Sequence, residues 1–188
     1  MRVISVKQPW AYLLCAGIKD IENRTWKFPE KYKGQMVLIH ASAKTDKEPY
    51  MLFDDAQIEE IGNDIMDVVA SYHTVSAIIG SLVFTDCVVN HPSVWAEKSE
   101  LGEKDENPYD WFKPTYNWLV SEPILFDKPI LNVKGRLNFW DYQNIQSVPD
   151  DEGILTCNCH LPIGENDQVM SLGDGNYICK YCGGKWYK

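Results

Sequence analysis

The sequence predicts an α+β protein, a small mixed β-barrel of roughly 140 residues flanked by helices and followed by a short cysteine-bearing module. Three observations carry that prediction. Short apolar segments alternate with period two between Pro and Gly punctuation, two segments carry three- and four-residue apolar spacing, and four of the six cysteines crowd into the last 32 residues. Of the 188 residues, 45% are hydrophobic and 24% charged, a balance that excludes wholesale disorder and fibrous repeats. A chain of this length buries roughly 70% of its unfolded surface, enough for one core with a small appendage.

The elements follow in order. Residues 2–6 (RVISV) read as a strand, and a short helix follows, with Pro9 at its first turn, Gly17 just past its end and Trp10, Leu13 and Leu14 on its buried side. IENRTW alternates so that Glu22, Arg24 and Trp26 share one strand face. Gly34 marks a turn into MVLIHAS, where Met36, Leu38 and His40 oppose Val37, Ile39 and Ala41. From about residue 45 to 73 an acidic insertion spaces Phe53, Ile58, Ile61, Ile65, Val68 and Tyr72 as one amphipathic helix with a solvated acidic face. SAIIGSLVFTDCVV is too continuously apolar for a half-exposed strand, and Gly80 within it suits a bulge or bend. The run EKSELGEKDENPYD has no periodicity and reads as a surface loop. YNWLV, PILF and NVKGRLNFW supply the remaining strands.

Charge is unevenly distributed. The net value of −9 argues against a protein that coats nucleic acid by neutralising phosphates. Residues 1–44, however, hold eight Lys/Arg against three Asp/Glu, residues 45–110 three against fifteen, and the remainder seven against nine. The acidity therefore belongs to the middle of the chain, and the first quarter is basic. No stretch of about 18 apolar residues occurs, and the N-terminus has no secretory pattern, so a cytoplasmic protein with no membrane association is expected. Cys15 and Cys87 lie in apolar surroundings and read as small buried hydrophobes.

Four segments taken together, SVKQPWAYLLCAGIKDIENRTWK, YKGQMVLIHASAK, IIGSLVFTDCV and YNWLVSEPILFDKPILNVKGRLNFW, resemble the ASCH (activating signal cointegrator homology) family in the family's own order, from about residue 1 to residue 142. The resemblance implies a PUA-like β-barrel flanked by helices. Its members are thought to bind RNA, single-stranded nucleic acid or modified nucleosides in a cleft, and some act as amidohydrolases on acylated cytidine or as ribonucleases.

The residues themselves fit such a cleft. Lys19 and Arg24 can contact phosphate or carbonyl oxygens, Trp10 and Trp26 offer stacking faces, and Glu22 can accept from an exocyclic amine or orient Arg24. His40 and Ser42 end the neighbouring strand and could line the same space. The competing reading makes Glu22 and Arg24 a strand-surface ion pair, both tryptophans core residues and His40 a structural histidine. The amidohydrolase members use a Lys and a Thr three residues later. Here Lys19 matches the Lys but Glu22 stands at the Thr position, so the resemblance supplies no nucleophile. Catalysis would fall to Lys19 and Glu22, with the carboxylate activating water.

After Tyr142 a polar linker over residues 143–153 leads to the segment 154–188, in which Cys157-x-Cys159-His160 precedes Cys179-Lys-Tyr-Cys182-Gly-Gly. The second half has the spacing and trailing glycines of a zinc knuckle. Cys157, Cys159, Cys179 and Cys182 form the expected structural Zn2+ site of a zinc-ribbon-like module, with His160 the alternative to Cys159, and a pair of disulfides is the competing reading. So few aliphatic residues in so short a segment need a staple to fold.

Function is therefore expected to be binding of single-stranded RNA or DNA, or of a modified nucleotide, in the cleft. The alternatives are a hydrolase on modified nucleosides or RNA, and a protein-interaction adaptor working through the acidic helix and the zinc module.

Overall fold

The computed structural model describes residues 1–47, 52–99 and 114–142, together with the strand segments 169–173, 176–179 and 185–187. Six strands form one sheet in the order β2-β5-β4-β3-β1-β6. These are β1 (Arg2–Val6), β2 (Ile21–Arg24), β3 (Met36–Ala41), β4 (Ala77–Val88), β5 (Tyr116–Ile130) and β6 (Phe139–Asp141). All pairs are antiparallel except β1 with β3, which run parallel with Val3 beside Leu38 and Val6 beside Ala41. The helices are α1 (Trp10–Cys15), α2 (Asp55–Ile61) and α3 (Ile65–Ser71). Among the described residues no helix is long and apolar enough to cross a membrane.

The expected barrel is present as a rolled sheet whose edges meet through side chains and not through a ladder. Arg24 on β2 donates to the backbone carbonyl of Ser5 on β1 at 2.9 Å. Trp26, just past β2, lies edge-on to Phe139 of β6 at 6.0 Å. Inside the roll Phe28, Phe84, Trp118 and Phe139 pack together, Trp118 and Phe139 stacking with ring planes 8° apart at 5.9 Å. A buried side chain of this size contributes roughly 1.5–3 kcal/mol, so this aromatic cluster helps to hold the edges together. α1 closes one mouth, placing Ala11, Leu14 and Cys15 in the same core.

Gly80 marks the bend expected of it. Register shifts flank it in β4 against β5 and against β3. A Cβ there would sit 2.2 Å from the Ile124 carbonyl oxygen and 2.6 Å from Cys15 Sγ, so only glycine lets β5 and α1 approach together.

Three elements differ from the sequence reading. The acidic amphipathic helix is two helices, because Gly62 adopts φ 53 at the end of α2 and a short 3-10 turn over Gly62–Asp64 redirects the chain. Ile61 and Val68 still reach a shared core with Leu13, Ile21 and Trp95, while Ile58 is exposed. YNWLV and PILF belong to the single long strand β5. NVKGRLNFW is mostly loop: residues 131–138 lie outside any strand, Asn132 and Asn138 have positive φ of 59° and 57°, and only its end enters β6. Such φ values suit asparagine in turns. In the C-terminal segment β7 (Val169–Gly173), β8 (Asn176–Cys179) and β9 (Lys185–Tyr187) form an antiparallel meander.

Candidate functional site

Where Arg24 and not a ladder bridges β2 and β1, the seam opens into a cleft of about 780 Å³, inside the range of roughly 300–1,000 Å³ usual for small-molecule sites. Its floor begins at Gly17, whose φ of 78° lets the chain turn back after α1 so that the amides of Ile18 and Lys19 both donate to the Leu13 carbonyl at 3.0 Å. That turn carries Lys19 inward. It is 3% exposed, donates through Nζ to the Ile21 carbonyl, and stands 5.7 Å over the Trp10 ring.

Glu22, 5% exposed, lies between two cations. Lys19 Nζ is 3.6 Å from Oε2, and Arg24 Nε is 2.8 Å from Oε1 in a close ion pair that lacks in-line hydrogen-bond geometry. The Arg24 guanidinium also sits 5.8 Å above the Trp118 ring. The Ser5 carbonyl is available to it because pairing of β1 with β6 stops at Ile4. Burial lowers the Lys19 pKa from its ordinary value, opposed by the carboxylates of Glu22 and Glu97 and more weakly by Asp20. Glu22 and Arg24 share a face as alternation required, yet with Glu22 buried and Arg24 half-buried they form the cleft floor and not a strand-surface ion pair.

Trp10 forms one wall. Its Nε1 donates to Asp46 Oδ2 at 3.0 Å, and that bond holds the Asp46 carboxyl below its usual range, with help from the Lys47 amide and from Lys7 and Lys47 against the cost of burial. Trp95 meets Trp10 edge-on at 6.5 Å, and Phe53 packs against both. The loop bearing Trp95 is fixed by amides: Asn23 Nδ2 donates to the Trp95 carbonyl at 2.8 Å, while Asn117 bonds Asn23 and the Glu97 carbonyl. Asp54 caps α2 in a reciprocal capping box with Gln57, whose Nε2 donates to the Val94 carbonyl at 3.1 Å. The acidic insertion thus supplies part of the cleft wall through Asp54 and Gln57. Arg136, Leu137 and Asn138 form the opposite rim.

Of the residues singled out in the sequence, Trp10, Lys19, Glu22, Arg24 and Ser42 line the cleft. Trp26 and His40 do not border it. Trp26 packs on Trp118 at 4.5 Å because β2 ends at Arg24, so the strand alternation does not carry on to it. His40 is 1% exposed behind Ser5, with Nε2 2.9 Å from the Val133 carbonyl and Nδ1 3.1 Å from Ser5 Oγ. Burial lowers its pKa, and a neutral ring with its proton on Nε2 satisfies Val133. Sequence reasoning missed Trp95, Asp46, Asp54 and the 136–138 rim, which arrive from loops and a helix start that no periodicity announces, and Asn23, which sits on β2 between the two residues singled out there.

The lining holds four cations, Lys7, Lys19, Arg24 and Arg136, against four carboxylates, Glu22, Asp46, Asp54 and Glu97. The cleft can therefore stack a planar group on the Trp10 indole, which the buried Trp95 backs edge-on, and offer donors and acceptors side by side, without the excess of positive charge that a polyanion would need.

The expected zinc ligands Cys157, Cys159 and Cys182, and the alternative His160, lie outside the described residues, and Cys179 is described only as the last residue of β8. Among the described residues no group of three or more His, Cys, Asp or Glu is placed to hold a metal.

A family model of the ASCH domain matches residues 4–130, a span that takes in the cleft floor, the Trp10 wall and five of the six sheet strands but stops before the 136–138 rim. No curated protein matches the chain.

Proposed function

The chain belongs to the ASCH-domain family, a PUA-like family proposed to bind RNA, and from that premise we propose that its cleft takes one base of a single-stranded RNA or DNA, or a modified nucleotide. The observation that carries this reading is the juxtaposition of Trp10 and Trp95 with the Lys19-Glu22-Arg24 floor. Indole faces bind any base by stacking. A guanidinium beside a carboxylate reads a base edge that presents both an acceptor and a donor. Equal numbers of cations and carboxylates favour recognition of the base over tracking of the backbone.

Fluorescence anisotropy with single-stranded RNA, single-stranded DNA and free nucleosides tests the proposal. Wild type is expected to bind at least one of them, and Trp10→Ala, checked for native circular dichroism, to weaken that binding at least tenfold. Binding that Trp10→Ala leaves unchanged would place the ligand elsewhere.

A hydrolase reading has one observation in its favour, the buried Lys19 amine beside the Glu22 carboxylate. Both Glu22 oxygens face cations, however, which leaves the carboxylate poorly placed to take a proton from water. Turnover of a modified nucleoside that Lys19→Met abolishes would support this reading over simple binding.

The C-terminal segment is proposed to hold one structural zinc ion on Cys157, Cys159, Cys179 and Cys182, with His160 the alternative to Cys159. Its support is the ligand spacing together with the short antiparallel meander of β7, β8 and β9. A protein partner could use that module or the acidic insertion.

A further inference from the structure

Leu137 is the most exposed large apolar side chain among the described residues, at 90%, and it stands on the cleft rim. A single exposed leucine carries no message. What distinguishes this one is how it is held and what flanks it.

The loop over residues 131–138 is anchored from below. Val133 is buried, its amide donates to the Ser76 carbonyl at 2.8 Å, and its carbonyl meets His40 Nε2. Ser5 Oγ donates to the Arg136 carbonyl at 3.1 Å. Gly135 lies so close to the His40 ring that a Cβ would come within 2.5 Å of Cε1. The buried histidine that does not reach the cleft thus seats the backbone just before Leu137. The same loop carries Lys134 and Arg136, both exposed, and no acidic residue. An anchored loop therefore presents an aliphatic tip directly after two exposed cations, beside a cavity of base-binding character, in a chain whose net charge is −9.

We propose that Leu137 is a wedge. As one base of an RNA strand leaves its stack for the cleft, the leucine side chain enters the vacated gap, with Arg136 and Lys134 on the neighbouring phosphates. Apolar side chains inserted between base steps do this in other nucleic-acid-binding proteins, where interactions formed elsewhere along the nucleic acid offset the cost of unstacking. The proposal rests on the cleft reading given above and adds to it the element that opens the strand.

Two oligonucleotides of equal length separate the wedge from the cleft: oligoadenylate, whose bases stack strongly, and oligouridylate, whose bases stack weakly. Leu137→Ala is expected to lower affinity for oligoadenylate about tenfold and for oligouridylate less than twofold, with Leu137→Met restoring most of the loss. Arg136→Ala is expected to weaken both and to reduce the salt slope by about one phosphate contact. Equal losses on both strands, or none, would overturn the wedge while Trp10→Ala still abolishes binding and the cleft reading stands. Failure of wild type to bind either strand would remove both.

Discussion

Glu22 is the residue on which the floor of the cleft depends. Glu22→Gln removes the carboxylate that lies between Lys19 and Arg24 and leaves the buried Lys19 charge only the weaker influence of Glu97 and Asp20. Removing one member of such a group costs about 3 kcal/mol, so urea denaturation is expected to show an unfolding free energy lowered by that amount, read as a lower midpoint at an unchanged slope. His40 makes a prediction of opposite character. Its folded pKa is depressed below 6.5, so the unfolded chain takes up the proton first, and stability is retained above about pH 6.5 and falls below it. Asp46, also depressed, adds its own loss only near and below the ordinary carboxylate range of 3.8. Between pH 7.5 and 5.5 a fall in melting temperature is therefore expected, and it should shrink in His40→Gln. At this scale the sequence was legible where spacing determines direction: Glu22 and Arg24 share a strand face as their alternation required, while Lys19 reaches them through the turn at Gly17. Trp26 leaves the cleft because a strand four residues long cannot impose its alternation on a fifth and sixth, and Trp95 enters it because the Asn23–Asn117 amide network positions its loop, which no periodic element announces.

Among the elements, β1 to β4 and α1 followed from alternation, apolar continuity and the Pro9 and Gly17 boundaries, whereas YNWLV and PILF merged into one strand. The acidic insertion kept most of its buried stripe, Ile58 excepted, but not its straightness, because apolar spacing is indifferent to a glycine that turns the chain. The 131–138 loop reads as strand by composition, and only the left-handed asparagines at its ends reveal it. Gly80→Ala forces a methyl against the Ile124 carbonyl and Cys15, and overpacking of this kind costs about 3 kcal/mol, to be read from the same denaturation curves. Asp54→Ala removes the capping box of α2 and is expected to cost about 1 kcal/mol, measurable as faster amide exchange in α2 with the sheet unaffected.

For the whole molecule, the net charge of −9 gives way to a local statement. The three exposed cations near the mouth, Lys7, Lys134 and Arg136, allow about three phosphate contacts, so log K against log salt for a single strand should have a slope of about −2. The zinc proposal predicts about one zinc per chain in purified protein, and metal analysis that finds none, with the cysteines paired as disulfides, would contradict it. The central claim, that the cleft between Trp10, Trp95 and the Leu137 rim receives a base, is tested most directly by ultraviolet cross-linking of the full chain to single-stranded RNA and mass-spectrometric mapping of the adducts. The account predicts adducts on peptides containing Trp10, Trp95 or Leu137. Adducts confined to residues 154–188, or none on the cleft peptides, would contradict it.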